Sequence, residues 1–246
     1  MTILSLKNIS KNFGAIEALK NVDLNLEKGQ VVGLMGDNGA GKSTLIKIIA
    51  GVFQANSGEI VYNNQQVNFS KPIEARKSGI EVVYQDLALC DNLTAAANIF
   101  LSRELFKKFF YISFLDYKKM YDISQKLFDE LKSETRPKDE VKTMSGGQRQ
   151  AVAIARTKLT DAKIVLMDEP TAAISVRQVA EVLDYIRQLR DQGISIILIS
   201  HRMPDVFEVS DRIVVLRRGG KVADKKISSS SPEEVTALIT GALKTA

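Results

Sequence analysis

The run Gly36-Asp37-Asn38-Gly39-Ala40-Gly41-Lys42-Ser43-Thr44 sets three glycines, a lysine and two hydroxyls at the spacing of a phosphate-binding loop. Backbone N–H groups in such a loop wrap an anion, and the N-terminus of a following helix adds a favourable field. Lys42 is placed to reach the β- and γ-phosphates of a nucleoside triphosphate, and the Ser43 hydroxyl to ligate Mg²⁺. A second group lies far along the chain. Asp168 closes the apolar run Ile164-Val165-Leu166-Met167, the setting of a carboxylate that holds Mg²⁺ through water, and Glu169 is its neighbour. A carboxylate beside the metal-holding one can polarise water, which points to hydrolysis rather than transfer to a bound acceptor. His201 stands just beyond another apolar run, Ile194 to Ile199, where its imidazole can hydrogen-bond a γ-phosphate. Met144-Ser145-Gly146-Gly147-Gln148 offers a further anion surface, a serine hydroxyl and two glycine N–H groups at a helix start. With one cradle already at 36–44, this second one predicts a head-to-tail pair of chains with two ATP molecules between them.

The elements that must position these groups are legible from periodicity. Val31-Val32-Gly33-Leu34-Met35 reads as a central buried strand before the loop, and Leu45 to Ile49 as the packed helix after it. Ile3 to Leu6 and the alternating Val22 to Leu26 predict short strands of an antiparallel portion. Gly79 to Tyr84 predicts a strand that delivers Gln85 to its end. Residues 92–101 and 120–131 read as helical, the latter with Ile123, Leu127 and Leu131 on one face. Between them, Leu105 to Leu115 carries four of the ten phenylalanines. That run predicts packing within a small helical lobe, with a partner-contact surface or a lipid-facing segment as the alternatives. Helices over 146–159 and 176–190, a hairpin over 213–223 and a helix opened by Ser231-Pro232 complete the reading. The fold class is therefore α/β: a P-loop NTPase core, 1–85 and 145–246, with an N-terminal antiparallel β-subdomain and an inserted α-helical subdomain, 86–144.

Composition limits the possibilities. The 246 residues can bury a sizeable core, and 45% apolar with 26% charged residues is ordinary for a globular domain. No run approaches 18 apolar residues, and the first residues lack the pattern of a secretory signal, so a cytoplasmic chain is expected. The net charge of +5 is dispersed and reads as solvated surface, with a footprint for nucleic acid or an anionic membrane surface as the alternative. One cysteine, Cys90, and one histidine exclude a disulfide framework and a His/Cys metal cluster within the chain.

Taken together, the loop at 36–44, Gln85, Ser145-Gly146-Gly147-Gln148, Asp168-Glu169 and His201 resemble the nucleotide-binding subunits of ATP-binding cassette transporters. The resemblance extends over about residues 3–240. It implies that Phe13 stacks on adenine, that Gln85 senses metal and water, and that residues 86–144 receive the coupling helix of a transmembrane permease. Met144 stands where leucine is usual, a tolerable apolar exchange. Ser175 ends Thr171-Ala172-Ala173-Ile174-Ser175 where most cassettes have aspartate. That segment, together with Val83 to Leu89 and Asn92-Leu93-Thr94, resembles sugar importers of the ribose, xylose and galactoside class, in its single-cassette form. The resemblance implies ATP and Mg²⁺, pairing with a second cassette, and a permease served by a periplasmic or extracellular sugar-binding protein. It places the chain peripherally on the cytoplasmic side of a bacterial inner membrane. A soluble assembly ATPase of the same superfamily and the ATPase of an exporter are the alternatives.

Overall fold

The computed structural model describes residues 1–172 and 174–243, the side chain of Phe109 excepted; Ala173, within the segment singled out above, lies outside the description. The alternating run at Val22 to Leu26 belongs to a longer strand than periodicity predicts, Ile16–Glu27 (β2), paired antiparallel with Thr2–Phe13 (β1). Both run past irregular positions where Asn8 and Asn21 adopt left-handed backbone angles, a conformation asparagine tolerates. The wholly buried Val31–Met35 (β3) follows, then Lys42–Ile49 (α1), Ser57–Tyr62 (β4), Gln65–Val67 (β5), Pro72–Lys77 (α2) and Ile80–Val83 (β6). Next come Ala95–Ile99 (α3), Phe106–Phe109 (β7), Ile112–Leu115 (β8), Tyr117–Glu130 (α4) and Gly146–Lys158 (α5). The remaining elements are Ile164–Asp168 (β9), Val176–Asp191 (α6), Ser195–Ile199 (β10), Met203–Val209 (α7), Arg212–Arg217 (β11), Gly220–Lys226 (β12) and Pro232–Thr240 (α8).

The chain divides into two compact units. The first comprises Met1–Val82, Ala162–Pro170 and the chain from Ile186 onward. It holds an antiparallel sheet, β2-β1-β4-β5, and a six-stranded sheet, β12-β11-β3-β10-β9-β6. Within the larger sheet β3 is parallel to β10 and β11, and β10 is parallel to β9. One apolar core joins the two sheets through Leu4, Leu6, Leu24, Leu34, Ile46, Leu166 and Ile197. The helix α7 approaches β3 closely at Gly33, where a β-carbon would overlap Val206. A neighbouring trio of strand ends, β3, β9 and β10, thus opens onto one carboxyl edge, where open α/β sheets bind their ligands.

The second unit comprises Val83–Asp161 and Thr171–Tyr185, more than the 86–144 segment expected as a separate lobe. Its core explains the difference. Ala151, Val152 and Ala155 of α5 pack with Ile99 of α3, with Phe100 at its end and with Met120, Leu127 and Phe128 of α4, so α5 goes with the lobe. Of the face predicted on α4, Leu127 is buried, while Ile123 and Leu131 pack partly exposed against the same cluster.

The aromatic run departs from the expected lobe packing. It forms a two-stranded antiparallel hairpin, β7 with β8, in register Phe106↔Leu115 to Phe109↔Ile112. Phe106, Phe110, Ile112 and Phe114 are all exposed. Aromatic and β-branched residues suit strands, but the Phe110-Tyr111 tip lacks the asparagine and glycine that advertise a hairpin in sequence.

Candidate functional site

The loop after β3 begins where the sheet ends. Gly41 has φ 103°, and a β-carbon there would lie 2.6 Å from Ala18 O and 2.7 Å from Leu19 Cδ2, so glycine alone fits. Gly41 is also the N-cap of α1, which puts Lys42, Ser43 and Thr44 on the helix's first turn, where backbone N–H groups lack partners within the helix. Gly36, Asp37, Asn38 and Gly39 form the outer turn, with Asp37, Asn38 and Gly39 exposed. Lys42 Nζ donates to Gly36 O at 2.8 Å and Asp37 O at 3.0 Å, folding its ammonium back across the loop. Burial holds that ammonium below the ordinary lysine value of 10.5, while Glu169, Asp168 and Asp37 pull in the opposite direction.

Strand β9 ends on Asp168, which is buried, and Glu169 follows in a left-handed conformation, φ 53°. The bend is held by a bond from Glu169 N–H to Ile199 O at 2.9 Å. It aims the carboxylate at the end of β10, where Glu169 Oε2 lies 2.7 Å from His201 Nδ1 and accepts from His201 N–H at 3.3 Å. Sequence reasoning pointed His201 at a phosphate; the structure places it first against Glu169. The carboxylate is largely buried and the imidazole is largely exposed. Lys42, Asp168, Glu169 and His201 thus share one edge of the first unit.

Phe13 lies at the end of β1, 41% exposed. Its ring meets Phe53 edge-on at 5.2 Å between centroids, with Lys11 Nζ 5.3 Å away. A supported ring with open surface and a cation beside it suits stacking on an electron-rich heterocycle.

Five predicted residues, Gln85 and Ser145 to Gln148, lie in the second unit. Gln85 is exposed in the turn beyond β6. Ser145 and Gln148 form a reciprocal cap at the start of α5: Ser145 Oγ accepts from Gln148 N–H at 3.3 Å, and Gln148 Oε1 accepts from Ser145 N–H at 3.0 Å. This leaves the first-turn N–H groups of Gly146 and Gly147 to meet an anion.

One residue escaped the sequence reading. Gln178 of α6 lies so close to Gly147 that any β-carbon there would overlap its amide. Its Oε1 accepts from Ser175 N–H and from Ser175 Oγ, both at 3.0 Å. Gln178 therefore joins the turn at Ser175 to the start of α5. The spacing Ser-x-x-Gln at 175–178, the same as at 145–148, was an available signal. Deeper in the unit, Thr157 Oγ1 and Tyr185 OH hydrogen-bond at 2.9 Å and tie α5 to α6.

The donors suit a hard divalent cation. Within the first unit the Ser43 hydroxyl and the Asp168 carboxylate are oxygen donors, the kind Mg²⁺ takes alongside phosphate oxygens. Among the described residues no group of three or more His, Cys, Asp or Glu is placed to hold a metal ion.

Comparison with known proteins bears on the family and the fold. The family model described as ABC transporter matches residues 19–172. The xylose/arabinose import ATP-binding protein of Sulfolobus acidocaldarius is 46% identical, over 97% of this chain and 94% of that protein. A ribose import ATP-binding protein of Caldanaerobacter subterraneus subsp. tengcongensis is 41% identical over 97% of this chain, which spans 48% of that relative. Among solved structures, a dimeric post-hydrolysis state of an ATP-binding cassette bound to ADP and Pi superposes with a TM-score of 0.79 at 27% identity, over 92% of this chain and 99% of that one.

Proposed function

Because the chain belongs to the ABC transporter family as an ATP-binding cassette, we propose that it hydrolyses ATP to drive import of a sugar, such as ribose, xylose or fructose, through a membrane permease. The observation that carries hydrolysis is the Glu169 carboxylate, held by His201 at 2.7 Å on the edge it shares with Lys42. The cargo class follows from relatives named for xylose/arabinose and ribose import.

In this reading the loop N–H groups and Lys42 take the phosphates, with Lys42 exchanging its bonds to Gly36 O and Asp37 O for phosphate oxygens. Phe13 supports the adenine. Glu169 orients a water for in-line attack and takes its proton at Oε1 or Oε2, while His201 fixes the carboxylate's rotation. Ser43 and Asp168, with Gln85, would hold Mg²⁺, which when bound neutralises charge on the phosphates. Ser145, Gly146 and Gly147 meet the γ-phosphate of a second copy's nucleotide, with Gln148 capping the helix that presents them. The cassette then works peripherally, on the cytoplasmic face, with a permease and a sugar-binding protein outside the cell membrane.

Reconstitution with a permease in proteoliposomes tests the reading. Uptake of a labelled pentose or hexose that requires ATP on the cassette side supports it. An ATPase that neither associates with a permease nor supports uptake, beside a control transporter that does both, overturns it.

A further inference from the structure

None of the residues assigned above to the nucleotide chemistry lies on the β7–β8 hairpin. Its base is anchored: Asp116 N–H donates to Leu105 O at 2.7 Å, Asp116 Oδ1 caps α4 through Lys119 N–H, and Leu105 packs on the lobe core. Between those anchors every described side chain from Phe106 to Phe114 is exposed. At the tip Phe110 is 85% and Tyr111 fully exposed, with Phe106, Ile112 and Phe114 behind them. Turn chemistry does not account for the tip. Two-residue hairpin loops favour asparagine and glycine, whereas here a bulky Phe110 sits at φ 52°, a costly conformation for such a side chain. Charge adds a second, independent feature. Residues 105–115 carry Lys107 and Lys108 and no acidic group, and Lys118 and Lys119 follow at the start of α4.

We propose that this hairpin is a membrane-interface anchor, with Phe110 and Tyr111 entering the headgroup layer of an anionic lipid surface and Lys107 and Lys108 pairing with its charge. Stable lipid attachment takes two signals, and apolar insertion with basic attraction is one such pair. Aromatic rings with a polar rim favour that interface. A protein occupant is less well served. Specific interfaces enlist about 20–30 residues a side, far more than one hairpin exposes. The proposal concerns lipid contact and stands whichever cargo the permease carries.

The chain contains no tryptophan, so Phe110→Trp installs a sole tryptophan whose emission can be excited apart from that of the tyrosines. With vesicles of phosphatidylglycerol and phosphatidylcholine, the expected result is blue-shifted emission quenched by brominated lipid, weakening as salt is raised. Relative to the unaltered chain, Phe110→Ser with Tyr111→Ser lowers vesicle partitioning at least about tenfold. Lys107→Glu with Lys108→Glu lowers it roughly 25-fold or more at low salt. Both double variants keep the ATPase rate of the unaltered chain in solution, which shows that they fold. No partitioning onto anionic vesicles, or equal partitioning of all three proteins, overturns the proposal. So does a tip variant that still partitions fully but no longer co-purifies with a permease in detergent, which assigns the hairpin to a protein partner.

Discussion

The Lys42 ammonium is held by two carbonyls of its own loop and by nearby carboxylates, against the cost of its burial. Its value is lowered in the free protein, and phosphate charge raises it again on binding. ATP binding therefore takes up protons in the window between those two values. Affinity weakens as pH rises through the lowered one. Titration with a fluorescent ATP analogue from neutral to alkaline pH checks the sign, and Lys42→Met should flatten the profile and cost roughly 10- to 100-fold in affinity. Gln178 supplies a second test. In Gly147→Ala the new β-carbon displaces the Gln178 amide and breaks its bonds to Ser175, a loss of about 1 kcal/mol measurable by denaturant unfolding. In a Gln178→Ala background the same substitution should be nearly neutral; an equal cost in both backgrounds would sever the link. Sequence alone named Lys42, Asp168, Glu169 and His201 because each follows an apolar strand. It missed the Gln178 contact with Gly147, which joins residues some thirty positions apart through a close approach that only the folded backbone reveals.

Element geometry rests on a few close contacts. Gly33 lets α7 lie against β3, so Gly33→Ala drives a β-carbon into Val206 and should cost about 1–3 kcal/mol in thermal or denaturant unfolding. An unchanged midpoint would mean that α7 is free to shift. At the start of α6, Ser175 Oγ accepts from Gln178 N–H at 3.4 Å in the same reciprocal pattern seen at Ser145. Ser175→Ala should cost about 1 kcal/mol, whereas Ser175→Asp should keep the cap, because aspartate serves at an N-cap as well as serine does. Strands such as β3, β9 and β10 were legible because burial on both faces leaves an unbroken apolar run. The extent of β1 and β2 was not, since register shifts beside Asn8 and Asn21 break the alternation that marks a strand. The β7–β8 hairpin was hidden for another reason: its tip residues are poor turn formers, and its faces mix lysine with aromatic side chains.

At the scale of the molecule, the case for the proposed pairing was legible in the sequence, where one chain carries two surfaces suited to phosphate, the loop at 36–44 and the Ser145-Gly146-Gly147 helix start. The division into units was less so. Helix α5 bears the second surface, yet its apolar side belongs to the core of α3 and α4, and periodicity does not say which neighbours a face will find. The central claim is that Glu169 drives hydrolysis within an ATP-sandwiched pair of chains. Glu169→Gln keeps the size and hydrogen-bonding shape of the side chain while removing its basicity. Its molar mass in solution with Mg²⁺ and ATP, measured by light scattering alongside its turnover, is the most direct test. The account predicts a rate lowered about 10²- to 10⁴-fold, ATP still bound, and a species of twice the chain mass. Turnover like that of the unaltered chain, or ATP bound by a species that stays at the mass of one chain, would contradict it.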